Sequence, residues 1–481
     1  MSIRRNSLYN LAGALAPLAV TLITVPIYLR LIGVDRYGTL AIGWLLLGYF
    51  GVFDLGLSRA TAQIQATLHK ADPHARASAF WTALALNSGF GVLGGVIFWL
   101  AGNWFVASHL NAPDALRPEI LAALPWLAAA VPLTTTFGVL TGALQGRERF
   151  LALNFASVAG SVLSQLLPLL VAWLHGPDLA LLVPAALLGR ALVFVLVADQ
   201  CRRHVPLTGR PSISTGLVPR LFRYGGWVTV SGLIGPLLVV SDQFVIGAVA
   251  GVAAVTYYSI PFNLAIRVTI LPGSLAAALF PRLAATDDSS GQRLAAEAVR
   301  ILSVVLTPLI IAGLIMMEPF LAWWLDLDFA GNSATVGEIL LIGFWANCLA
   351  YIPATKLQAE GRPDLVAKCH LSELLPYFVL LYFCLLQWGI VGAAIAWTVR
   401  VSVDCVLLFA LSGERLHILR SLLLPATLLG LGAFSVLVLP VGGTLVCVGA
   451  FLASLVWAWF VRPPSLAAWM RAPLRNVALR G

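Results

Sequence analysis

Between Arg420 and Arg462 the chain runs 41 residues without a charged side chain or a histidine. The only strong turn signal in that run is Pro440-Val441-Gly442-Gly443, near its middle. Each arm has about the 20 apolar residues that a helix needs to cross a ~30 Å hydrocarbon core. Backbone N–H and C=O groups find no water in lipid, so apolar runs of this length are restricted to helix. The stretch reads as a transmembrane helical hairpin.

The same pattern fills the rest of the chain. Hydrophobic residues make up 60% and charged residues 11% of 481, which leaves no room for a soluble domain. Apolar runs separated by short charged or Gly/Pro-rich breaks give fourteen spans: 8–32, 38–63, 80–102, 120–145, 151–174, 179–198, 225–248, 253–279, 295–323, 336–354, 365–386, 391–410, 422–439 and 444–461. The expected fold class is an all-α polytopic membrane protein of about 14 transmembrane helices.

A net charge of +9 suggests nucleic acid only until its distribution is considered. With the N-terminus in the cytoplasm, 23 of the 30 Lys and Arg fall at cytoplasmic ends or loops. Three (Arg30, Arg36, Arg117) fall on the other side, and four (Arg59, Arg190, Arg267, Arg400) lie inside spans. This asymmetry follows the positive-inside rule and predicts cytoplasmic termini, with Gly209 inside and Asn111 outside. No nucleic-acid partner is needed. The 24 uncharged residues from Asn6 to Leu29 are too long for a signal-peptide core, so they are expected to form an uncleaved first span. The six cysteines show no CxxC spacing and are expected to be apolar packing residues without a disulfide or metal role. No cofactor is expected.

The polar segment 201–224 divides a first group of six spans (1–200) from a second (225–411). The hairpin region 412–461 and a basic cytoplasmic tail 462–481 follow. The two sixes share features at nearly one offset. Gln145 and Gln358 are 213 apart, Arg190 and Arg400 are 210 apart, and Gly33 and Gly251 are 218 apart. Because six is even, both copies would insert in the same orientation, giving two six-helix bundles related by a parallel repeat plus a C-terminal helix pair.

The stretch Pro26-Ile27-Tyr28-Leu29-Arg30-Leu31-Ile32-Gly33-Val34-Asp35-Arg36-Tyr37-Gly38, followed by Phe53-Asp54-Leu55-Gly56-Leu57, resembles the polysaccharide transporter family of Wzx-type flippases, in the multidrug/oligosaccharidyl-lipid/polysaccharide superfamily. Ser241-Asp242-Gln243, Tyr257 and Leu144-Gln145-Gly146-Arg147 extend the resemblance. It implies two bundles around a central cavity, alternating access, and movement of an undecaprenyl-diphosphate-linked oligosaccharide across the bacterial inner membrane. The implied partners are that lipid-linked oligosaccharide, the bilayer, and a polysaccharide polymerase or export machinery.

A charge at the bilayer centre costs roughly 2.5 to 3.5 kcal/mol on insertion scales, so each one asks for a reason. One reading makes Arg190, Arg267, Arg400 and Arg59 a cationic, substrate-binding cavity, because guanidinium groups bind phosphate oxygens through two parallel donors. The other is structural. Asp404 follows Arg400 by one helical turn and would neutralise it, and Arg59 would snorkel to the headgroups. Asp54, Asp242 and Asp404 serve ion coupling or structural pairing. Glu338 and Glu373 read as end-of-helix residues.

Two further function classes stand beside the flippase. An ion-coupled small-molecule or drug exporter of the same superfamily would want an acidic cavity, which three mid-depth arginines argue against. A membrane glycan polymerase or glycosyltransferase would want a large catalytic loop. The longest predicted outer loop, 103–119, has no recognisable catalytic spacing, and no nucleotide-binding motif is present. The chain is therefore read as a transporter and not an enzyme.

Overall fold

The computed structural model describes residues 3–50, 54, 57–58, 61–62, 73–147, 149–205, 213–214, 216, 241–285, 288–413, 420–439 and 442–463. Among the described residues every regular element is a helix, and ten helices are long and apolar enough to cross a membrane. Large apolar side chains such as Val96, Leu100, Trp173, Leu375 and Phe383 stand exposed on the helices. A chain with so much apolar surface turned outward has lipid as its solvent. Most of span seven and the end of span two fall outside the described residues.

The chain forms two units, residues 1–256 and 257–481. The first unit begins with α1 (Ile3–Tyr49), which carries both the first expected span and the start of the second. They meet at Gly33, whose φ of 77° and ψ of 171° are open essentially to glycine alone. Gly33→Ala is expected to destabilise the protein by about 1–3 kcal/mol. Thermal unfolding in detergent measures this, with Gly43→Ala as a near-neutral control because its added methyl would meet Leu127 at an ordinary 3.7 Å.

Four further long helices belong to this unit: α2 (Pro73–Ser108), α3 (Arg117–Gly146), α4 (Phe150–His175) and α5 (Leu179–His204). α2 packs on α3, α4 on α5, α3 on α5 and α1 on α4. Polar side chains knit the seams. Gln165 of α4 accepts hydrogen bonds from Thr21 (3.2 Å) and Thr24 (3.0 Å) of α1. At one end Arg36 grips Glu119 through two nitrogens, at 2.9 and 2.5 Å, and Glu119 also accepts from the Leu179 backbone N–H that opens α5. At the other end the Arg147 guanidinium donates to the carbonyl of His204, the last residue of α5. A cation there complements the negative end of the helix dipole.

Gly251, matched to Gly33 in the sequence, also has positive φ, at 94°. It precedes α6 (Val252–Ala265), whose Thr256 hydroxyl donates to Val34 O at 2.7 Å. Span eight was expected to be one helix. Instead α6 gives way to a 3₁₀ stretch, Ile266–Thr269, before α7 (Ile270–Ala284). Pro272 accounts for the break: it has no N–H for the Val268 carbonyl four residues back, and its ring crowds that carbonyl.

The second unit adds α8 (Asp288–Trp324), α9 (Leu327–Ala359) and α10 (Pro363–Leu411). α9 is its centre, contacting α7, α8 and α10. α10 contains spans eleven and twelve, joined at Gly389 with φ 57° and ψ −142°. The hairpin arms α11 (Leu423–Val438) and α12 (Gly443–Val461) pack on α8. Lys356 near the end of α9 donates at 2.8 Å to the carbonyl of Ser412, the residue that closes α10. This is the same device as Arg147 on His204 in the first unit.

Candidate functional site

Arg190 sits near the middle of α5 and lines a cavity of about 210 Å³ inside the first unit. The preceding residue makes that placement feasible. A Cβ on Gly189 would fall 2.9 Å from the Leu163 carbonyl carbon, so glycine lets the α5 backbone press against α4. α4 lines the same cavity with Ser157, Gly160, Ser161 and Ser164, and α3 with Thr134 and Phe137. Among the described residues that line it, none is a carboxylate. In a low-dielectric wall, a guanidinium surrounded by hydroxyl groups is suited to an anion.

Arg267 lies in the 3₁₀ stretch between α6 and α7 and is exposed. Arg59 lies outside the described residues. Arg400 is in a different setting from Arg190. Its side chain is 9% exposed, its Nη1 lies 3.9 Å from Glu373 Oε2, and its guanidinium stands 5.4 Å from the centre of the Tyr377 ring. The sequence spacing suggested Asp404 as its partner. Asp404 instead faces the other arm of α10, with its Oδ1 at 3.4 Å from His370 Nε2 and 3.7 Å from Cys369 Sγ.

Glu373 is therefore not an end-of-helix residue. It is buried on the first arm of α10, where Cys369 Sγ donates to its Oε1 at 3.4 Å, and it faces Arg400 on the second arm. Glu338 is likewise buried inside α9. The hairpin at Gly389 brings these groups together, which spacing along one helix does not reveal. Donor atoms of Cys369, Glu373 and Asp404 lie within 4.8 Å of one another, the geometry of a metal site. Arg400 already offers positive charge to Glu373, and His370 lies against Asp404, so the donor set does not ask for a metal ion. Cys369 is more than an apolar filler, since its thiol points at both acids.

The remaining acidic candidates are held in polar knots. Asp54 accepts from the Ser58 N–H through both oxygens (3.1 and 3.0 Å) and from Asn87 Nδ2, and Asn87 in turn bonds Thr135 of α3. Asp242 is fully buried and accepts from the Gln243 N–H at 2.7 Å. The hydroxyls of α4 are the residues that the charge-led reading of the sequence passed over. Their signal was present: Ser157, Ser161 and Ser164 are spaced four and three apart, one face of a helix.

Residues 27–331 match the model of a family described as "Polysaccharide biosynthesis protein". A Shigella flexneri protein named "Putative O-antigen transporter" is 30% identical over 410 residues, covering 85% of this chain and 97% of that one. Among solved structures, lipid II flippase MurJ in an inward closed conformation superposes with a TM-score of 0.69 at 12% identity, covering 93% of this chain and 97% of MurJ. An inward-facing multidrug resistance transporter of the MATE family, in the MOP superfamily, gives 0.68 at 18% identity, with 85% and 99% covered. At these identities the two structures establish the shared fold.

Proposed function

Because the chain belongs to the polysaccharide biosynthesis protein family, we propose that it is a flippase for a polyprenyl-diphosphate-linked oligosaccharide. The cargo is a repeat unit of O-antigen, capsule or exopolysaccharide, carried across the bacterial inner membrane by alternating access. The plan is fourteen helices with cytoplasmic termini, two six-helix bundles related by a parallel repeat, and the α11–α12 pair outside them. Local features support the repeat: positive φ at Gly33 and Gly251, and the cation that caps the last carbonyl at Arg147/His204 and again at Lys356/Ser412.

The observation that carries the reading is the Arg190 cavity, whose described lining residues include a cation and hydroxyl donors and no carboxylate. A diphosphate headgroup offers the complementary oxyanions. Arg190 provides donors to that headgroup, and Arg267 and Arg59 are its further substrate-binding residues. Arg400 joins them in a state where its pairing with Glu373 opens. The buried acids Glu373 and Asp404 then provide the ion-coupling element, with Asp54 and Asp242 as structural ties in their knots.

Those same buried acids are what an ion-coupled drug exporter would use, and one experiment separates the two readings. Expressed in a bacterium deleted for its own O-antigen transporter but supplied with the matching glycan assembly enzymes, the chain should restore surface glycan. Unrestored glycan together with raised resistance to cationic drugs would favour the exporter.

A further inference from the structure

Serine and threonine hydroxyls in helices often return their proton to a carbonyl three or four residues back. This chain follows the habit repeatedly: Thr136 donates to Pro132 O, Thr141 to Phe137 O, and Ser164 to Ser161 O. Around the Arg190 cavity three hydroxyls break it. Among the described residues Ser157, Ser161 and Thr134 make no side-chain hydrogen bond within the protein, and all three line the cavity. Gly160 between the serines adds no side chain to fill it.

Ser161 and Thr134 are half-buried and Ser157 is exposed, so their hydroxyl protons are open to an acceptor that enters the cavity. The cavity's size limits what that can be. At about 210 Å³ it falls below the roughly 300–1,000 Å³ of sites that enclose drug-sized ligands. An oligosaccharide does not fit, whereas a small oxyanion does. The hydroxyls come from α3 and α4 and the guanidinium from α5, a set of donors suited to the several oxygens of one tetrahedral group.

We propose that Ser157, Ser161 and Thr134 complete, with Arg190, a binding site for one phosphoryl group, built entirely within the first unit. The inference rests on the headgroup role given to Arg190 above and adds the residues that make the site selective for phosphoryl oxygens. The phosphoryl group belongs either to the diphosphate of a lipid-linked substrate or to an anionic phospholipid headgroup.

The test places a reporter thiol in the cavity. All six native cysteines are buried, so a thiol introduced by Ser157→Cys in the full chain stands out against a low background. In phosphatidylcholine nanodiscs, an anionic methanethiosulfonate should modify it faster than a cationic one. Inorganic pyrophosphate should slow modification roughly tenfold. Arg190→Gln should abolish both effects, and Ser161→Ala should raise the pyrophosphate concentration for half-protection roughly tenfold. Ser161→Cys gives the same readout if the first variant does not fold.

Modification that pyrophosphate leaves unchanged, or slows equally with Arg190→Gln, overturns the site. Protection by a polyprenyl diphosphate at lower concentration than pyrophosphate identifies the substrate headgroup as the source. Protection on replacing part of the phosphatidylcholine with phosphatidylglycerol identifies the phospholipid. A chain that shows protection yet moves no lipid-linked glycan overturns the proposed function and leaves the site standing. A chain that moves glycan without protection overturns the site alone.

Discussion

Arg400→Ala is expected to destabilise the protein by about 3–5 kcal/mol, the range seen when one partner of a buried ion pair is removed. The loss arises because Glu373 and Asp404, both buried, would then share a site without the guanidinium that faces Glu373. The 3.9 Å separation of Arg400 from Glu373 places the expected loss toward the lower end of the range. Thermal unfolding of the detergent-purified protein reads it directly. Adding Glu373→Gln should recover most of the lost stability, since it removes the charge left uncompensated. If Arg400→Ala unfolds at the parental temperature, the cluster does not hold the two arms of α10 together.

The second large effect falls on transport. Arg190→Ala is expected to lower the flipping rate roughly tenfold to a hundredfold, because hydrogen bonds to charged groups contribute about 1.5–3 kcal/mol each. Arg190→Lys keeps the charge and loses the bidentate fork, so its rate should lie between those of Ala and the parent. Thermal unfolding beside the rate measurement separates loss of function from loss of fold.

Helical membrane architecture is legible in the sequence because lipid permits so few solutions. The apolar runs that end at Trp323, Ala354 and Leu174 each lie within a helix of the structure. Two glycines, Gly33 and Gly389, turn the chain inside what hydrogen bonding otherwise makes single long helices, and spacing alone marks the gaps between spans there. The 3₁₀ break at Ile266–Thr269 was foreshadowed by Pro272, a signal easily discounted because prolines are common in membrane helices.

The polar sites were legible in part. Charge inside an apolar run announces itself, so Arg190 and Arg400 stood out. What each touches depends on which helix faces it, and a helix's own periodicity says nothing about that. The one-turn spacing of Arg400 and Asp404 suggested a pair, yet the hairpin at Gly389 sets Glu373 opposite Arg400 and His370 opposite Asp404. Uncharged hydroxyls carried a weaker signal. Ser157, Ser161 and Ser164 are ordinary in a membrane helix until Arg190 of α5 is seen across the same cavity.

Flipping by the purified chain in proteoliposomes loaded with a polyprenyl-diphosphate-linked oligosaccharide tests the central claim most directly. The glycan's exposure to a membrane-impermeant glycosidase outside the vesicles reports translocation. Vesicles containing the chain should expose glycan initially protected in the inner leaflet, and Arg190→Ala vesicles should do so roughly tenfold to a hundredfold more slowly. Glycan that stays protected in vesicles containing correctly folded parental protein, or is exposed equally fast by Arg190→Ala, would contradict the account.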